Sequence, residues 1–246
     1  MSSISVQLYS VRQDFGADPT ATLRRIAELG FRQVEPYGLV EHRAALETGL
    51  PAQQLTAPTA HVKLVGADLP EVFAAAVACR VGVVIEPAVR AEHWQTAADV
   101  AGIATALNDA AKAAAEHGLR VGYHNHWWEL QSQIDGRPAL EVLADRLDPA
   151  VLLEVDAYWA TAGGADTPAL LGRLGERVYA LHVKDGDLAT DASGQLPAGR
   201  GRVPMAEVLA AAPAALRVVE FDRYDGDIFA GLAESLAYLT ETEAGR

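Results

Sequence analysis

Eight short apolar runs, each followed by a stretch of helical character, limit the folds open to this chain more than any other feature. Ile4–Tyr9 alternates and reads as strand one. Asp18-Pro19-Thr20 opens a helix that ends at Leu29, where Gly30 stops it. Phe31–Pro36 is strand two, followed by a helical stretch around 41–48. Leu55–His61 is strand three, weakened by Pro58, with helix from Pro70 to Cys79. Gly82–Glu86 is strand four, followed by a long helix from Thr96 to His117. Val121–Glu129 carries strand five, and Pro138–Leu147 is helical. Strand six is Val151–Asp156, with helix over Thr167–Leu174. Strand seven is Val178–Val183. A glycine-rich loop, 194–201, leads to a helix over Met205–Ala212. Strand eight is Leu216–Phe221, and 228–241 form the last helix. Parallel strands need crossover connections, so this alternation predicts a parallel sheet. Eight units predict one (β/α)8 TIM barrel over residues 1–246, with an open doubly wound sheet as the alternative. The 246 residues match the roughly 250 typical of such barrels. No Gly-x-Gly-x-x-Gly follows strand one, which counts against a dinucleotide-binding sheet.

Charge narrows the function classes. The chain has 33 acidic and 20 basic residues, a net charge of −13. Contact along a nucleic-acid backbone needs a basic face, so no nucleic-acid partner is expected. Cys79 is the sole cysteine, so no intrachain disulfide forms. Met1-Ser-Ser-Ile-Ser has no basic region leading into a long apolar core, and no run approaches the roughly 18 apolar residues of a membrane span. The expectation is a cytoplasmic protein with no membrane partner.

Active sites of (β/α)8 barrels lie at the C-terminal ends of the strands. This chain puts polar groups there repeatedly: Glu35, His61, Glu86, His124, His126, Asp156, His182, Lys184 and Glu220. Residues two apart in a strand share a face, so His124 and His126 are expected side by side. Carboxylates facing one another inside a barrel repel unless a cation neutralises them. Asp156, His182 and Glu220 offer one nitrogen and two oxygen ligands, a mix that suits one divalent ion: Mn²⁺, Mg²⁺, Co²⁺ or Zn²⁺. For a fourth ligand from strand five, position favours His124 and hard-metal chemistry favours Glu129. The reading leans to Glu129. Lys184 shares parity with His182 and could steady an enolate oxygen; its ordinary role would be a salt bridge. His61 and His126 are candidate proton carriers. Trp127, Trp128 and Trp159 could stack on a sugar, although packing is the commoner use of tryptophan. Glu154 and Asp222 share parity with the ligands and could support them.

Several of these groups fall in motifs: Tyr123-His-Asn-His126-x-x-Glu129, Glu154-x-Asp156-x-x-Trp159, His182-Val-Lys184-Asp185 and Val219-Glu220-x-Asp222. Together with Gln7-Leu-Tyr-Ser10, Val34-Glu35 and Ala60-His61-Val62, they resemble the sugar phosphate isomerase/epimerase group of xylose-isomerase-like barrels. That group includes ketose 3-epimerases, inosose dehydratases, hydroxypyruvate isomerases and 3-oxo-glycoside lyases. The resemblance implies a divalent metal held by strands five to eight. It places Asp156, His182 and Glu220 on ligand positions and makes Glu220 a candidate acid or base. Its strand-five carboxylate aligns near His124. The loop Gly199-Arg200-Gly201-Arg202 departs from an acidic Gly-Glu-Gly pattern. It reads first as a solvated loop and second as an anion contact.

The expected catalytic residues are therefore His124, His126, Lys184 and Glu220. His61, Glu35, Trp127 and Trp159 are expected at the substrate, and Glu129, Asp156, His182 and Glu220 at the metal. The expected reaction is proton abstraction beside a carbonyl of a sugar, cyclitol or hydroxy-keto acid, giving isomerisation, epimerisation or elimination. A homo-oligomer or a partner subunit is compatible with the sequence. The rivals are a metal-dependent phosphodiester hydrolase like endonuclease IV and a non-catalytic sugar-binding subunit.

Overall fold

A computed structural model describes residues 4–244; Met1–Ser3, used above in reading the N-terminus, lie outside them. The barrel strands are β1 (Ile4–Gln7), β2 (Gln33–Glu35), β3 (Thr59–His61), β4 (Val83–Glu86), β5 (Arg120–His124), β6 (Leu152–Asp156), β7 (Val178–Val183) and β8 (Leu216–Val219). They form one parallel sheet in the order β2-β1-β8-β7-β6-β5-β4-β3. At its two ends, Gln33 of β2 forms an isolated bridge with Thr56, in the segment that leads into β3. The His61 N–H also donates to Pro36 O at 2.8 Å. The result is a nearly closed (β/α)8 barrel. Pro58 has no N–H to give to a ladder, and β3 starts only after it.

Local sequence explains the helices between the strands. Ala97–Ala115 is alanine-rich and begins with a reciprocal cap: Thr96 Oγ1 accepts from Asp99 N, and Asp99 Oδ2 accepts from Thr96 N. Its Val100, Ile103, Leu107, Ala111 and Ala114 repeat at helical spacing and are buried. Asp18 and Asp68 cap Pro19–Glu28 and Leu69–Ala78, each with proline in the first turn. Gly30 follows the first of these at a φ of 110°, a conformation glycine reaches without strain.

Four strands end sooner than the alternation predicts: β2 stops at Glu35, β8 at Val219, and the ends of β1 and β5 have a side-chain cause. β1 stops at Gln7 because its side chain accepts from Tyr9 N at 3.0 Å and starts a 3₁₀ turn, Leu8–Val11. β5 stops at His124, and Trp128–Gln131 is a short helix. The Glu129 carboxylate draws this segment back, accepting from Tyr123 Oη at 2.6 Å and from His126 N at 2.9 Å. His124 and His126 are therefore not two pleats of one strand, although their rings still lie 5.2 Å apart.

Alternation along the strands divides the core. One face packs on the helices in a single large cluster. The other lines the barrel, where Val83, Ile85 and Leu152, and Ala180, Leu216 and Val218, form small apolar clusters. One pleat further along, the barrel-facing side chains turn polar: Glu35, His61, His124, Glu154 and His182 are all buried. No helix among the described residues is long and apolar enough to cross a membrane.

Candidate active site

Strand register builds the site. Gln7 stands beside Glu35, His124 beside Glu154, and Asp156 beside His182. Glu154 Oε2 gathers three imidazoles: His61 Nε2 at 2.6 Å, His182 Nε2 at 3.1 Å and His124 Nδ1 at 3.2 Å. Glu35 Oε1 lies 2.8 Å from His182 Nε2 and 3.2 Å from His61 Nε2, and accepts from Gln7 Nε2 at 2.8 Å. One layer further out, Lys184 Nζ sits 2.6 Å from Glu220 Oε2, 2.7 Å from Asp222 Oδ2 and 2.9 Å from Asp156 Oδ2. His182 joins the layers, with Nδ1 2.7 Å from Glu220 Oε2. Gln195, in the loop after β7, fixes Asp222 by accepting from its N–H and donating to Oδ2.

The other expected residues divide. His126 stacks on Trp128 at 4.3 Å and lines the cavity above the centre together with His61, His124 and Glu220. Trp159 lies buried beneath, its ring 5.5 Å from Lys184 Nζ and its Nε1 without a partner. Trp127 packs edge-on against Trp128 and is not on the cavity wall. Glu129 is not brought to the centre, since both its oxygens serve Tyr123 and His126 as described. Glu86 has the opposite parity to Ile85, and its Oε2 accepts from Leu64 N and Val65 N. It shapes the loop after β3. Arg200 pairs with Glu234, and Arg202 reaches Asp187 O, so this segment takes the solvated-loop reading.

Burial and crowding set the charge states. Burial pulls the His182 imidazole down, but Glu154, Glu220 and Glu35 outweigh it and hold it well above its ordinary value. His61 is raised in the same way against burial, by Glu35 and Glu154. Burial, then the neighbouring His182, holds His124 well below. Burial and the Lys184 ammonium push His126 down to about 3. Burial favours a neutral Glu220, yet Lys184 and His182 keep it well below the usual carboxylate range. Burial also opposes charge on Lys184, but Asp156, Asp222 and Glu220 hold its ammonium firmly protonated.

A cation fits this donor set. Five carboxylates (Glu35, Glu154, Asp156, Glu220 and Asp222) converge on one ammonium and three imidazoles. Glu35 Oε2 and Glu154 Oε1 are buried with no hydrogen-bond partner, which is costly in a low-dielectric interior. Two groups could hold a metal ion, each with donor atoms within 4.8 Å of one another: Asp156, His182 and Glu220, and His61, His124, Glu154 and His182. Glu129 belongs to neither. His124 Nε2 lies 3.8 Å from Asp156 Oδ2.

Glu129 gives a stability test separate from the centre. Burial raises its carboxyl from 4.5 to about 8. A raised folded value favours the folded state fully below pH 4.5, and this contribution is lost as pH rises through 8. The span is on the order of 5 kcal/mol. Glu129→Gln keeps the shape without the charge. Denaturant unfolding at pH 5, 7 and 9 is expected to show wild type losing stability relative to the variant as pH rises. Parallel pH profiles would mean that Glu129 ionises in the folded protein as freely as in water.

The fold and the family are matched in known proteins. A sugar phosphate isomerase/epimerase from Parabacteroides distasonis ATCC 8503 superposes with a TM-score of 0.82 at 20% identity, over 97% of this chain and 93% of that one. The probable 3-DHS dehydratase AsbF, involved in petrobactin synthesis, from Bacillus anthracis gives a TM-score of 0.77 at 15% identity, over 97% and 98%. An L-ribulose 3-epimerase gives 0.69 at 13% identity, over 98% and 94%. At these identities the likeness speaks for the fold. No curated protein sequence matches the chain at a significant level. The family profile described as xylose isomerase-like TIM barrel matches residues 23–225. On that match, which spans most of its length, the chain belongs to the xylose isomerase-like TIM barrel family.

Proposed function

We propose that this chain is a divalent-metal-dependent isomerase, epimerase or lyase that removes a proton beside a carbonyl of a sugar-derived small molecule. The observation that carries this reading is the convergence of Asp156, His182 and Glu220 on one point under an open cavity. These three would hold the ion, with His124 the strand-five group nearest to them. A bound divalent ion would supply Lewis acidity toward a carbonyl and its neighbouring hydroxyl.

The remaining roles follow from charge state and position. The Glu220 carboxylate is unprotonated and on the cavity wall, so it can accept the carbon-bound proton. The Lys184 ammonium lies behind it, its three donors held by Asp156, Glu220 and Asp222, and offsets the charge of those carboxylates from outside the cavity. His126 stays a neutral imidazole, suited to orienting a hydroxyl by hydrogen bonding. Its Nδ1 is buried and has no partner. His61 donates from the wall while Glu35 and Glu154 fix its ring. Trp159 closes the floor against water. Phosphodiester hydrolysis draws no matching support. Lys63 is the one ammonium or guanidinium among the described residues lining the cavity, facing several carboxylates.

The reaction class is testable without knowing the natural substrate. Keto-sugars are incubated with the protein and Mn²⁺ in D₂O, and the carbon beside the carbonyl is followed by NMR. Deuterium is expected at that carbon, or else a primary isotope effect from substrate deuterated there if the base returns the same proton. Cleavage of a phosphodiester with neither sign on any sugar would replace this proposal with the hydrolase reading.

A further inference from the structure

The cavity above the centre has two unlike walls. It holds about 600 Å³, well inside the roughly 300–1,000 Å³ range of drug-sized ligand pockets and more than one sugar ring needs. Its inner wall is polar, with His61, His124, His126, Glu220 and Asp222. Its outer wall, over the ends of β1 to β4, is largely apolar: Tyr9, Tyr37, Val40, Val62, Val72 and Pro87. Sugar hydroxyls pressed against that outer wall would give up water for no partner.

The outer wall is also held in place. The Tyr9 ring, 38% exposed, meets Tyr37 edge-on at 5.5 Å. The Arg12 guanidinium lies 4.2 Å over the Tyr9 ring and donates to Asp222 O at 3.0 Å. Tyr37 in turn packs on Phe15 and His42. An aromatic surface fixed in advance binds a flat apolar group with little ordering cost. The charges at the rim disfavour an anionic occupant, because Lys63 is outnumbered by Glu41, Asp68 and Glu71.

We propose that the ligand of this cavity is uncharged and two-part. Its polyol or keto-sugar ring meets the histidine–carboxylate centre, and an apolar, aryl-sized substituent lies against Tyr9, Tyr37, Val40, Val62 and Val72. The ring's placement rests on the sugar-directed reading of the centre. The substituent's placement rests on the outer wall alone.

Matched probes test this by ligand-observed NMR and calorimetry on the full chain with Mn²⁺ present. Phenyl and methyl β-D-glucopyranoside form one pair, phenyl and methyl β-D-xylopyranoside another, and glucose 6-phosphate is the anionic probe. At least one phenyl compound is expected to bind about tenfold or more tightly than its methyl partner. Val40 is only partly buried, so Val40→Asp puts a carboxylate on the outer wall without burying it in the core. It is expected to abolish the phenyl preference, and Val40→Leu to keep it. Equal binding within both pairs, including no detectable binding of any member, overturns the proposal. So does tighter binding of glucose 6-phosphate, or a phenyl preference unchanged in Val40→Asp. The chemistry fails separately: a phenyl preference lost in Val40→Asp, with neither hydrogen exchange nor a primary isotope effect on any keto-sugar, would uphold this inference and remove the proposed reaction.

Discussion

Asp156→Asn is expected to remove most of the divalent metal while leaving the fold intact. Loss of a group that merely supports a ligand typically weakens a metal site 10–100-fold. Loss of a ligating carboxylate is expected to cost at least about 100-fold. Asparagine is the informative replacement, because Asp156 has a second task. Its Oδ1 accepts from Trp159 N at 2.8 Å and caps the helix Ala157–Ala162. Alanine would delete that cap, worth about 1 kcal/mol, and confuse metal loss with unfolding. Asparagine keeps the accepting oxygen and removes the charge. The measurements are metal per chain by elemental analysis after dialysis, and melting temperature with chelator present. Unchanged metal content with a normal melting temperature would remove Asp156 from the ligand set. Glu129→Gln is the matched control and is expected to keep its metal, since neither Glu129 oxygen faces the centre.

The contrast between Asp156 and Glu129 shows what the sequence could and could not disclose. Strand alternation put Asp156, His182, Lys184 and Glu220 on one side of their strands, and these residues do meet. That inference needs only a period of two and a barrel that closes. The preference for Glu129 rests on a different ground, its hard-metal donor chemistry, although position favours His124; the chain turns after His124 into a helix that the Glu129 carboxylate itself helps to anchor. Nothing in the local spacing distinguishes a ligand from a turn-forming carboxylate. Glu86 differs in kind: it is counted with the other strand-end groups, but the structure turns Ile85 into the barrel and so Glu86 out of it. Glu154 was read as a supporting group, yet its Oε2 is shared by three imidazoles from three strands. Its parity with Asp156 was visible, but the convergence depends on the stagger of β3, β5 and β7 around the barrel. Gln195 was hidden more deeply. It lies in the loop after β7, and only the fold brings its amide to Asp222. The eight-unit rhythm itself was legible because most of the apolar runs lie close to a glycine, a proline or a helix-capping residue.

Lys184→Met is expected to destabilise the metal-free protein far more than the metal-loaded one. The ammonium is 2% exposed and within 2.9 Å of oxygens from Asp156, Glu220 and Asp222. Methionine fills similar space but leaves two fully buried carboxylates and one partly buried one without their cation. Removing one partner of a buried ion pair commonly costs about 3–5 kcal/mol. The variant without metal should lose roughly that much. A divalent ion held by Asp156, His182 and Glu220 would neutralise two of the same carboxylates, so saturating Mn²⁺ should recover much of the loss. The measurement is denaturant unfolding of wild type and variant, each with chelator and with Mn²⁺. A loss of equal size in both conditions would mean that Lys184 and the metal do not act on the same carboxylates. Metal per chain supplies the second reading. One positive charge fewer beside Asp156 and Glu220 lowers the repulsion felt by an incoming cation, so the variant should bind Mn²⁺ at least as tightly as wild type. Weaker binding would mean that Lys184 holds the two carboxylates in place for the ion, and that its role is geometry rather than charge.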